Sequence, residues 1–167
     1  MKIVEYNRGL ALAYAKRYAL SRNNAYLDFS SLGGDCTNFV SQCLYAGARK
    51  MNYTPVFGWY YQNGFNKAPA WSGVKEFYNF ITNNLIVNKI GEGHGPFGEE
   101  SSIRNLKAGD IIQLGMDKHS FYHSLFIVAF KGDMPLVASH SLDNYEKPLA
   151  EFNYETARGI KILGVRV

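Results

Sequence analysis

The chain has 167 residues, 47% of them hydrophobic and 19% charged. That balance fits one globular domain over residues 1–167 and excludes an extended disordered chain. Lys plus Arg exceed Asp plus Glu by 18 − 14 = +4, a mild bias that suits anionic partners such as wall polymers, phospholipid or nucleic acid without choosing among them. The longest apolar stretch, Leu125 to Phe130, is far short of the ~20 residues of a membrane helix. The start MKIVEYNRG has no uninterrupted apolar core, so no export signal is expected in this chain.

From Tyr6 to about Ser21, Leu10, Ala11, Tyr14, Ala15 and Tyr18 recur three and four apart, which predicts an amphipathic helix. Arg22-Asn23-Asn24 ends it, and Ala25 to Gly34 reads as loop. Asp35 then precedes a run in which Cys36, Phe39, Val40, Cys43 and Leu44 share one face and Gly47 offers a stop. This predicts a buried helix capped by Asp35. Residues 51–70 are aromatic and rich in Gly, Asn and Pro, and read as a long ordered loop. Trp71-Ser72 opens another amphipathic helix through Val74, Phe77, Tyr78 and Ile81.

After a glycine-rich loop at residues 91–98, the pattern turns extended. Strands are expected at Ile111 to Leu114, Ser124 to Phe130, Leu136 to Ser141 and Ile160 to Val167, with a turn at Lys131-Gly132-Asp133. Helices followed by strands predict an α+β fold, the N-terminal helices packed on a C-terminal antiparallel sheet.

Cys36 and Cys43 are seven residues apart on one predicted helix. At ~1.5 Å rise their Cα atoms lie about 10 Å apart, too far to bridge, so both thiols are expected free. Cys43, in mid-helix, reads as core. Cys36, at the first turn, meets backbone N–H groups without intrahelical partners, whose partial positive charge favours thiolate. Gly33 and Gly34 would admit a substrate backbone, and the Cys36 N–H could hold an oxyanion.

A thiol hydrolase also needs a base and a group that orients it. His123, opening an apolar strand, is the best base; His94 and His119 read as surface residues. If Lys131 to Met134 form the hairpin loop, Phe130 faces Pro135, His123 faces Leu142, and His140 falls on the same side as His123, one pair along. His140 then becomes the third member; a loop one residue longer brings Asp143 opposite His123 instead. Asp35 beside a thiolate would raise its pKa and is read mainly as a cap. His119 and His123 have a metal-like spacing, but in a loop leading into a strand, so no metal is expected, and no glycine motif supports a nucleotide or other cofactor. The aromatic residues Trp59, Tyr60, Tyr61 and Trp71 fit either a substrate groove or a heavy core.

Tyr6-Asn7-Arg8, Asn24-Ala25-Tyr26 and above all the run from Gly33 to Leu44 resemble the putative amidase domain family of bacteria, related to the NlpC/P60 and CHAP cysteine hydrolases. Trp71-Ser72-Gly73-Val74, Gly109-Asp110-Ile111-Ile112-Gln113 and His123-Ser124 follow in the same order. The resemblance implies a papain-like fold with Cys36 as nucleophile, His123 as base and His140 as the polar third residue. It also implies that Tyr26 contributes to the site, as a tyrosine does in NlpC/P60 relatives. The papain-type glutamine before the nucleophile is absent, and Ser139-His140-Ser141 departs from the family's His-Thr.

The expected activity is cleavage of an amide through a thioester, without a cofactor, in a peptide or amide substrate of peptidoglycan. Transfer of the same acyl group to an amine and a non-catalytic wall-binding module are the rivals. A nucleic-acid binder is not expected at this charge.

Overall fold

A computed structural model describes residues 1–83 and 93–167. In chain order the elements are β1 (Ile3–Val4), α1 (Arg8–Tyr18), α2 (Cys36–Ala48), β2 (Tyr61–Asn63), β3 (Asn66–Lys67), α3 (Pro69–Ser72), α4 (Val74–Asn83), β4 (Gly95–Ser101), β5 (Ile111–Asp117), β6 (Ser120–Lys131), β7 (Met134–Ser139), β8 (Asn144–Pro148) and β9 (Thr156–Arg166). The class is α+β. One antiparallel sheet runs β1-β9-β5-β6-β7-β8, with β4 also paired to β9. Among the described residues, no helix is long and apolar enough to cross a membrane.

The periodic segments form the helices they predict, with local differences. Asn7 caps α1 by accepting the Leu10 N–H at 3.0 Å. Helix α2 runs past Gly47 and stops at Arg49, which takes the left-handed conformation. Gly47 is needed for a different reason: a Cβ there would lie 2.5 Å from the Tyr6 ring. The expected loop at 51–70 contains the β2–β3 hairpin and the start of α3, and Gly73, extended, separates α3 from α4. The glycine-rich segment is a loop only at its start, because Gly95 to Ser101 pair with β9; residues 91 and 92 lie outside the described residues.

The helices cover one face of the sheet, where Phe39, Val40, Leu44, Phe77 and Ile81 meet Ile111, Phe126, Ala138 and Ile160. On the other face Ile112, Leu114, Leu125, Ile127 and Val137 are covered by Leu106 and Leu149. Trp59 and Trp71 are 0% exposed and belong to the core, not to a groove. Their indole N–H groups donate to Ser41 Oγ at 2.9 Å and Asn38 Oδ1 at 2.8 Å, which satisfies the polar edge that burial would otherwise strand.

Strand β6 is bulged twice, and the bulges decide which residues face the helices. Phe130 pairs with Pro135 as the hairpin arithmetic requires, but Val128 is an extra residue between the Ile127–Val137 and Ala129–Leu136 pairs. Beyond it the register is shifted by one, Phe126 opposite Ala138, which brings Ser124 rather than Leu125 level with His140 and turns His123 to the other face. Tyr122 is a second extra residue, between the pairs Leu114–His123 and Gly115–Phe121.

Two sequence motifs lock α1 to the sheet. Arg8 Nη1 pairs with Asp110 Oδ1 at 2.8 Å and donates to the Ala108 carbonyl at 3.0 Å, while Nη2 donates to the Ile162 carbonyl at 2.9 Å. Asp110, fully buried, also accepts the N–H groups of Lys107 and Ile162, both at 3.0 Å. Removing Arg8 leaves the buried Asp110 without its cation, and removing Asp110 leaves the half-buried Arg8 without its carboxylate. Asp110→Ala is expected to cost about 3–5 kcal/mol of folding free energy in urea unfolding. A loss below about 1 kcal/mol would show the pair to be dispensable.

Candidate active site

Cys36 is the first residue of α2 and is 8% exposed, beside Gly33 (φ +102) and Gly34 (φ +115), whose backbone conformation L side chains rarely adopt. A Cβ on Gly33 would meet nothing within 4 Å, so the chain is open there. The thiol meets the Ser124 N–H and, at 3.8 Å, Thr37 Oγ1. Thr37 Oγ1 in turn lies 2.9 Å from Ser124 Oγ.

Asp35 does not cap α2 through its side chain. Its Oδ1 accepts the Phe29 N–H and the Asn38 amide, each at 2.8 Å, and its Oδ2 lies 2.5 Å from His140 Nδ1. His140 Nε2 is 2.8 Å from the Tyr18 carbonyl, and its ring stacks on Phe39 at 4.1 Å between centroids. Both ring nitrogens therefore face oxygens, the carboxylate on one side and the carbonyl on the other. Arg22, whose Nε is 3.7 Å from Asp35 Oδ2, completes the charge environment with Asp28 at 3.1 Å. Asp143, the alternative third residue, is bound by Arg22 at 2.7 Å.

The expected ionised sulfur is not what this environment favours. Burial pushes the Cys36 thiol up, the nearby Asp35 charge adds to that, and the bonds from Ser124 and Thr37 only partly oppose it. Cys43, fully buried in mid-helix, is pushed up further by burial and is core, as its position predicts.

The structure therefore joins His140 to Asp35, the residue before Cys36, but turns the His123 side chain to the sheet's other face. His123 pairs with Leu114 and shares the opposite face with Leu125, near Phe152 at 6.1 Å between ring centroids. Burial and the charge of Lys147 pull its pKa down to about 4, which makes it a poor proton acceptor near neutrality. Tyr26 stacks on Trp71 at 5.8 Å and packs against Tyr61, with its phenol pushed up to about 12 by burial. His119 is exposed and His94 half-buried. Among the described residues, no group of three or more His, Cys, Asp or Glu is arranged to hold a metal ion.

Ser124, Thr37 and Gln113 are site residues the sequence reading passed over. All three are 0% exposed. A polar residue at an inward position of an apolar strand, as in Ile111-Ile112-Gln113-Leu114, was the available signal.

The chain belongs to the putative amidase domain family, whose model matches residues 5–163. The class this defines is a domain described by amide hydrolysis. A relative, the uncharacterized protein YhbB of Bacillus subtilis (strain 168), is 30% identical over 145 residues, which is 84% of this chain and 43% of that protein. The chain thus spans less than half the length of that relative. No solved structure matches the chain.

Two measurements test these electrostatics. The His123 pKa falls from an ordinary 6.5 to about 4 on folding; between those values the unfolded state binds the extra proton, so stability drops as the pH falls. Urea unfolding of wild type should lose up to about 3 kcal/mol more than His123→Gln across that window; equal losses would contradict the buried neutral ring. Alkylation of Cys36 by iodoacetamide, followed by peptide mass spectrometry, should rise with pH through a midpoint above the ordinary thiol range. A midpoint below neutrality would mean that the helix tip outweighs burial.

Proposed function

We propose that the chain is a cysteine-dependent amidohydrolase of papain-like architecture, with Cys36 as nucleophile and an amide of a peptidoglycan peptide as substrate. What carries the reading is the conjunction at the start of α2: a thiol at the first helical residue, uncapped by the Asp35 side chain, beside a buried Asp35–His140 pair. Family membership supports amide chemistry, and the mild basic charge suits an anionic wall polymer.

The thiol ionises, releasing its proton to solvent, and the thiolate attacks the amide carbon. First-turn N–H groups take the oxyanion. His140 is the imidazole on the Cys36 side of the sheet, one helical turn along through its stack on Phe39. Turning Nε2 from the Tyr18 carbonyl, with Nδ1 kept on Asp35, it protonates the leaving nitrogen, and the C–N bond breaks. The neutral ring then takes a proton from water, whose oxygen attacks the thioester and releases acid and thiolate. The base role thus passes from His123 to His140, and Asp35 becomes the group that positions it.

Purified peptidoglycan stem peptides, incubated with each variant and read by mass spectrometry, test the assignment. Cys36→Ala should give no product. His140→Ala should be slower by about 10²–10⁴-fold, the usual worth of a positioned acid–base group, with His123→Ala within about tenfold of wild type. Product from Cys36→Ala would end the cysteine mechanism, and a folded but inactive His123→Ala would return the base role to that residue.

A further inference from the structure

A row of polar side chains crosses the helix-facing side of the sheet at the end where Cys36 lies. In register, Arg158 of β9 stands opposite Gln113 of β5, and Gln113 opposite Ser124 of β6. Arg158 Nε and Nη2 both donate to Gln113 Oε1, at 3.0 and 2.7 Å. Gln113 Nε2 donates to Ser124 Oγ at 3.2 Å and to the Val74 carbonyl at 2.9 Å, fixing the amide's orientation. Through Thr37 the row ends at the Cys36 thiol.

The guanidinium at the far end is held on its faces as well. It lies 3.4 Å from the Tyr78 ring centroid and 3.8 Å from that of Phe121, an arrangement that fixes a flat cation. Glu100 is the acid that faces it, but its carboxylate accepts the Tyr78 hydroxyl, and among the described residues it makes no ion pair with Arg158. Nη1 has no hydrogen-bond partner among the described residues. Arg158, Gly159, Ser101 and Glu100, together with Ile103 and Ala157 from the sheet's other face, line an open recess of about 560 Å³ at this edge. A half-buried arginine clamped by an amide and two rings, with one nitrogen unused, is built to receive a carboxylate in a defined direction.

We propose that Arg158 binds a carboxylate of the substrate, so that the amide attacked at Cys36 belongs to a peptide bearing an acidic group about 10 Å from the scissile carbonyl, two strand spacings away. This rests on Cys36 being the nucleophile and narrows the substrate to anionic peptides. Arg158 is then a specificity-determining residue, and Gln113 a positioning residue acting through it.

The test uses a matched pair of reagents, N-chloroacetyl-glycylglycine and its C-terminal carboxamide. In both, the Cys36 thiolate displaces chloride and forms an S–C bond; only the first carries a carboxylate, which the extended reagent can place about 10 Å away. Wild type should alkylate at Cys36 at least about tenfold faster with the acid, the worth of one charge-assisted pair. Raising the salt should not erase this ratio, because the cation is partly buried. In Arg158→Met the ratio should fall to about one, and Arg158→Lys should keep only part of it. A wild-type ratio of one overturns the proposal and leaves the nucleophile standing. A variant that slows both reagents together, with the ratio intact, shows a merely structural arginine and overturns it too. Failure of both reagents at Cys36 in wild type removes the nucleophile reading and the proposal with it.

Discussion

The carboxylate of Asp35 is where the site's parts are tied together. It is 0% exposed, so its burial is tolerated only because its oxygens are hydrogen-bonded on every side. Oδ1 gathers the Phe29 N–H of the preceding loop and the Asn38 amide of α2; Oδ2 gathers His140 from the end of β7. Asn38 passes the connection on, since its Oδ1 accepts the Trp71 indole N–H and its Nδ2 donates to the Leu27 carbonyl at 3.0 Å. Loop, helix, aromatic core and sheet edge are thus fixed relative to one side chain. Cys36, the next residue, inherits that fixation.

A cap and a hub are competing uses of the same two oxygens. An aspartate at this position ordinarily turns its side chain back on the N–H groups of the first helical turn. Here the oxygens are spent on Phe29, Asn38 and His140, so the first turn is left without that acceptor. Those N–H groups remain polar donors beside the sulfur, the property an oxyanion needs. The cost appears in the thiol: a carboxylate nearby and little solvent both oppose its ionisation.

Much of this was legible in the residues, and the failures have identifiable causes. Helices α1 and α2 follow from three- and four-residue spacing, and the turn after β6 from Lys131-Gly132-Asp133. The face of His123 was lost to a single inserted residue. Val128 is β-branched and apolar, so it continues the strand pattern and carries no mark of the bulge it makes. Strands β4 and β8 were invisible for another reason: Gly95-Pro96-Phe97-Gly98 and Asn144-Tyr145-Glu146-Lys147-Pro148 have turn composition, and only pairing with β9 and β7 makes them extended. The Asp35–His140 contact joins residues 105 apart and could not come from local pattern.

The two bulges in β6 sort its side chains into separate tasks. On the helix side, Ser124 supplies an N–H to the sulfur and a hydroxyl to Thr37, compact groups that let α2 approach closely. On the far side, His123 is held among Phe152, Tyr122 and the charge of Lys147, where a second proton is disfavoured. Were the strand to slip by one residue, an imidazole would replace Ser124 against α2, and Leu125 and Ile127 would leave the apolar layer they share with Leu114 and Val137. The apolar layer thus opposes such a slip. The sheet's second core therefore decides which side chain of β6 meets α2.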